Sequence, residues 1–163
     1  MEKIKHLAIL SFLIPAITVH AGKVETEKIT VPQKVQDACE KYGEQYGICP
    51  ELLEAICWKE SRFNHKVVDS SFTCIGLMQI DATIHRKRMQ RLGIYDLFDI
   101  DNNVHVGADI MSELFDYNED VDLVLMLYHG EKDAFYKAKR GKISKYARDI
   151  LEVSEELERV HGK

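Results

Sequence analysis

The sequence predicts a small all-α domain, with room for one short β-hairpin. Three observations point there. Apolar residues recur at helical spacing through most of residues 33–163. Gly, Pro, Asn and Asp fall between those stretches, where helices start and stop. A chain of 163 residues, 45% hydrophobic and 30% charged, holds enough apolar side chain for one core and not for two.

Taken in order, Val35, Cys39, Tyr42 and Tyr46 form one stripe, and Gly47 closes that helix. Pro50 suits the first position of the next, where a proline loses no hydrogen bond. There Leu53, Ile56, Cys57 and Glu60 share a face. Residues 64–80 lack helical periodicity and carry Ser70, Ser71, Thr73 and Gly76, so they read as a loop or a small hairpin. A helix is expected over 82–92, ending at Gly93, and then a connection over 94–101. Asn102 or Asn103 is the expected cap of a helix reaching about Phe115, and Asp120 the cap of one carrying Val121, Val124, Leu125 and Tyr128. Residues 133–140 form a short helix broken by Gly141. The last helix runs from Ser144 towards Val160 with Tyr146, Ile150, Val153 and Leu157 inward. There is no internal repeat and no sign of a second domain.

The first 21 residues are a separate object. A short charged start precedes a nearly unbroken apolar run, Leu7 to Val19, and then Val19-His20-Ala21. This is the pattern of a secretory signal peptide cut after Ala21, with an uncleaved membrane anchor as the alternative. The product is expected to be secreted or in the cell envelope, with residues 22–32 a flexible lead-in. Cleavage lowers the net charge by one unit from −5, which argues against nucleic acid as a partner. Four cysteines behind such a leader (Cys39, Cys49, Cys57 and Cys74) suggest disulfides rather than zinc, because no close CxxC pair is present.

Glu60 is the unusual residue. A glutamate normally falls on the face opposite the apolar stripe. On the stripe it is desolvated, which favours its protonated form and makes it able to donate to a leaving oxygen. A buried glutamate paired with a cation such as Arg62 explains the same pattern, and from spacing alone both readings stand.

The motifs around it narrow the choice. Glu60-Ser61-Arg62-Phe63-Asn64, Gly76-Leu77-Met78-Gln79-Ile80 and Tyr128-His129-Gly130 resemble, in order and spacing, the soluble lytic transglycosylase domain. This is the peptidoglycan-cleaving catalytic domain with a goose-type lysozyme fold. The resemblance covers roughly residues 35–151 and makes residues 33–163 one lysozyme-like domain with a substrate groove. It implies that Glu60 is the single catalytic acid/base and that Ser70, Met78 and Gln79 lie at the glycan. It also implies that Tyr128 contacts the carboxyl or the sugar and that Tyr146 faces the site. Asn103, Gly107 and Leu114 match a segment that caps and packs a helix. Two departures stand out. His129 replaces the family asparagine and is itself a candidate sugar ligand or proton-transfer residue. Asp81-Ala82-Thr83 stands where the family has a proline.

The implied reaction cleaves the bond between N-acetylmuramic acid and N-acetylglucosamine, with a 1,6-anhydromuramyl product and no cofactor. Glu60 serves as acid and then as base. A hydrolytic muramidase using Asp69 or Asp81 to position water is the alternative, and a non-catalytic wall-binding module is another. The expected partner is the glycan strand, met by a monomer, with assembly partners in secretion, conjugation or phage systems left open. If Gln79 lines the site, Cys57 and Cys74 approach each other. The expected bridges are then Cys57–Cys74 and Cys39–Cys49, against Cys39–Cys57 with Cys49–Cys74, or four free thiols.

Overall fold

The computed structural model describes residues 29–163. The expected leader and most of the lead-in lie outside them. Seven helices and one two-stranded hairpin follow in order: α1 (Gln33–Tyr46), α2 (Pro50–Ser61), β1 (Cys74–Ile75), β2 (Ile80–Asp81), α3 (Arg86–Leu92), α4 (Ile100–Tyr117), α5 (Val121–Tyr128), α6 (Ala134–Ala138) and α7 (Lys145–His161). The all-α expectation with a small hairpin holds.

Helices α1 and α2 form an antiparallel pair joined at Gly47, with Pro50 opening α2. Helix α4 packs against α1, α5 and α3, while α7 packs against α2 and α5. The core between them holds Val35, Leu53, Ile56, Met111, Leu125 and Ile150, all essentially excluded from solvent. Helix α2 is therefore buried on two sides, and this is why Glu51 and Glu54 lie inside with its apolar residues.

Two helix starts differ from the sequence reading. Helix α4 begins at Ile100, because Asp99 accepts the Asn102 N–H at 3.0 Å and acts as the cap. Helix α3 begins at Arg86 rather than at residue 82. The Asp81 carboxylate accepts the N–H groups of Thr83 at 2.8 Å and Ile84 at 3.0 Å, and that turn holds the chain out of the helix. Asp120 caps α5 as expected, and Ser144, where the last helix was expected to begin, caps α7.

The expected bridges Cys57–Cys74 and Cys39–Cys49 are not formed; all four cysteines are free thiols. The directions of the side chains explain this. Cys57 faces α1, where its thiol meets that of Cys39. Cys74 opens β1 beside Thr73. Cys49 donates to the Glu51 carboxylate at 3.1 Å.

Helices α2 and α7 run antiparallel and are tied at both ends. Near the α2 C-terminus, Lys59 pairs with Asp149 at 2.6 Å and Glu60 meets Tyr146. At the other end, Glu51 takes His161 at 2.9 Å and Lys163 at 2.7 Å.

Candidate active site

Glu60 sits in the last turn of α2, half-buried. Its carboxyl is pushed above the usual range by burial, against the hydrogen bond from Tyr146 and the charges of His129 and Lys59. The negative end of the helix acts in the same direction as burial. Just beyond, Arg62 and Phe63 hold φ of 53° and 61°, consecutive left-handed positions without glycine. Strain of this kind is concentrated at functional sites. It turns the Arg62 side chain over the Trp58 ring, 4.1 Å from the centroid. The reading in which Arg62 neutralises Glu60 is thereby displaced.

The Tyr146 hydroxyl donates to Glu60 Oε1. Tyr146 is in the first turn of α7 and is buried. On its other side the His129 ring stacks at 3.9 Å between centroids and 6° between planes. Glu60, Tyr146 and His129 are thus brought together from α2, α7 and the end of α5.

Tyr128 does not take the carboxyl. Its hydroxyl donates to the Met78 carbonyl at 2.8 Å, which fastens the Gly76–Gln79 segment to the end of α5. The Met78 side chain is fully buried. It packs under Gly107 of α4, where a Cβ would come within 2.6 Å of the Met78 Cε. The Gln79 amide is turned back on its own loop, donating to the Gly76 carbonyl at 3.0 Å and the Val67 carbonyl at 3.3 Å. Ser70 is exposed in the turn before β1. Asp69 organises that turn, accepting N–H groups from Ser71, Thr73 and Cys74 at 3.1, 2.8 and 2.7 Å. The Ser71 hydroxyl and the Cys74 N–H, chiefly, hold its carboxyl down to about 2.

Sequence reasoning placed Asn103 as a cap and missed its part here. It lies inside α4 with no exposed surface. Its Oδ1 accepts the Met78 N–H at 2.9 Å, and its Nδ2 donates to the carbonyls of Leu97 at 2.8 Å and Ile75 at 2.9 Å. Gly76, at φ 79°, lies directly against this amide. The available signal was an amide on the same helical face as Ile100 and Gly107. Lys59 and Asp149, which brace α2 against α7, carried no comparable signal.

The helical frame, the Glu-Ser pair and the clamped Gly-Leu-Met-Gln segment have a counterpart among known proteins. Residues 37–150 match the sequence profile described as "Transglycosylase SLT domain". The chain belongs to this family. Its fold is the family's mostly helical, lysozyme-like one, and its activity is of the lytic transglycosylase class. Among curated relatives, this SLT chain is 29% identical over 129 residues to "Protein IpgF" of Shigella flexneri, covering 76% of this chain and 78% of that protein. It is 30% identical over 86 residues to the "Transglycosylase" of Enterobacteria phage PRD1, covering 53% of this chain and 31% of that one. The SLT match takes in Glu60, Gly76, Gln79, Asn103, Tyr128 and Tyr146.

Proposed function

We propose that this SLT domain cleaves the β-1,4 bond between N-acetylmuramic acid and N-acetylglucosamine by intramolecular transglycosylation, with Glu60 as acid and then base. Glu60 gives its proton to the bridging oxygen. The bond from that oxygen to the muramic C1 breaks, and its electron pair leaves with the N-acetylglucosamine O4. The Glu60 carboxylate then takes the proton of the muramic C6 hydroxyl as O6 closes on C1. The products are a 1,6-anhydromuramyl end and a free 4-hydroxyl, and no water is consumed. The Tyr146 hydroxyl fits both halves. It leaves one Glu60 oxygen to carry the proton outward, and it stabilises the carboxylate once that proton has gone.

The observation that carries this reading over hydrolysis concerns the other carboxylates. A hydrolase places a second one near the bond, ~5–5.5 Å from the first when retaining or ~6.5–9.5 Å when inverting. Asp69 and Asp81 were the candidates. Both oxygens of Asp69 and the Oδ1 of Asp81 are engaged by backbone N–H groups of their own turns. Glu60 is left to act alone. Ser70, exposed beside the Asp69 turn, is the residue we assign to the sugar from this loop, while Met78 and Gln79 support the loop from beneath. A peptidoglycan substrate sets the enzyme's work in the cell envelope.

Digestion of purified peptidoglycan followed by mass analysis tests the proposal. Muropeptides lighter by one water than their reducing-end counterparts are expected, and Glu60→Gln should release none. Reducing ends from the wild-type enzyme would instead establish the hydrolase.

A further inference from the structure

His129 stands where the family pattern has asparagine, and it brings an ionisable ring to the acid's only tyrosine contact found among the described residues. Its ring lies parallel to Tyr146 at 3.9 Å. The Tyr146 hydroxyl is on Glu60. The His129 Nδ1 is 3.4 Å from Glu131 Oε1, and the second Glu131 oxygen accepts from Lys137 at 2.7 Å. A row therefore runs from Lys137 through Glu131 and His129 to Tyr146 and Glu60, crossing α6, the α5–α6 turn, α7 and α2.

We propose that His129 is a positioning residue whose imidazolium, seated on Tyr146 and oriented by Glu131, biases Glu60 towards its carboxylate, so that the charge on His129 governs the alkaline limb of the reaction. This rests on Glu60 being the acid.

The charges facing this row sort as follows. Lys59 on α2 also favours the Glu60 carboxylate, but it is engaged by Asp149 of α7, as is Lys145. Lys137 on α6 is shared between Glu131 and Asp133. Tyr128 on α5 is turned to a carbonyl. His129 is thus the facing group stacked directly on the tyrosine that holds Glu60. The Glu131 carboxylate faces the His129 Nδ1. The cation acts on Glu60 across the Tyr146 ring on which it is stacked. Burial of Glu60 raises its carboxyl and the His129 charge opposes that rise. Removal of that charge therefore lets Glu60 hold its proton further up.

The test compares wild type, His129→Phe, Glu131→Gln and the double variant. Phenylalanine keeps a flat ring over Tyr146 and removes the charge. On the alkaline limb, His129→Phe should show roughly threefold higher kcat/KM than wild type after each profile is scaled to its own maximum. Glu131→Gln should shift in the same direction by less, and should add nothing in the His129→Phe background. Carbon-13 titration of the Glu60 carboxyl should show its midpoint moving to higher pH in His129→Phe. That readout needs no turnover, so it answers even if product analysis were to find reducing ends. An unmoved Glu60 midpoint in His129→Phe overturns the proposal. So does a Glu131→Gln effect of equal size in both backgrounds, since the coupling would then bypass the imidazole.

Discussion

Tyr146 gives Glu60 its one tyrosine hydrogen bond seen among the described residues, and that bond favours the charged carboxyl. Removing the hydroxyl in Tyr146→Phe deletes a bond to a group that becomes an anion in the proposed reaction, a type of contact worth about 1.5–3 kcal/mol. Turnover should drop by roughly ten- to a hundredfold. The alkaline limb should move to higher pH, because the interaction that helped Glu60 lose its proton is gone. A pH profile of kcat for the variant checks both. At this scale the sequence was informative where a residue broke a pattern. Glu60 interrupts an apolar stripe, and its half-buried state follows from that. Gln79 also broke a pattern, yet its amide serves the loop's own carbonyls. A polar residue in an apolar run has to be satisfied, but spacing does not say whether substrate or backbone satisfies it. Arg62 shows a different limit. Its stack on Trp58 depends on left-handed backbone at Arg62 and Phe63, which residue type alone does not announce.

Helix α4 and the hairpin segment are joined through Asn103. In Asn103→Ala the Met78 N–H and the Leu97 and Ile75 carbonyls lose the three bonds made by this amide. That should cost about 3 kcal/mol of unfolding free energy, measured by urea denaturation. Gly76→Ala should be at least as harmful. A methyl there would sit 2.5 Å from the Leu97 carbonyl oxygen, at a φ of 79° that alanine resists. Both variants should lose activity together with order in the 76–79 segment, whereas Tyr146→Phe should lower turnover with that segment still ordered. Periodicity and caps made most elements legible, including the hairpin and the cap at Asp120. The starts of α3 and α4 were missed because two aspartates competed for the backbone. Asp81 used its carboxylate to hold a turn, while Asp99 capped a helix from the connection assigned as irregular. The cysteine pairing failed for a related reason. It was argued from a groove contact, whereas the direction of Cys57 is set by the packing of α2 on α1.

Over the whole molecule, two glutamates of α2 give stability opposite dependences on pH. Glu51 is fully buried. Burial works against its charge, but Lys163, His161 and Cys49 outweigh it and hold the carboxyl down to about 2. Its contribution is present above the ordinary carboxylate value of 4.5 and is lost as pH falls towards 2. Glu54 is buried equally, with both oxygens lacking a hydrogen-bond partner among the described residues. Burial pushes its carboxyl up to about 7. Its contribution is therefore fully present below 4.5 and is lost as pH rises through about 7. The domain should be most stable in mildly acidic solution. Glu54→Gln should raise the unfolding free energy at pH 8 by about 2 kcal/mol and change it little at pH 5. Denaturation at the two pH values decides this, and an equal effect at both would remove Glu54 as the cause.

The bond between Glu60 and Tyr146 spans 86 positions of the chain. A polypeptide leaving the ribosome exposes Glu60 well before Tyr146 follows it. Until α7 has docked along α2, the carboxyl lacks that hydroxyl and the core lacks one wall. A nascent or truncated chain ending before residue 146 thus carries the acid without its partner. On the proposed roles of Glu60 and Tyr146, such a chain should therefore be nearly inactive.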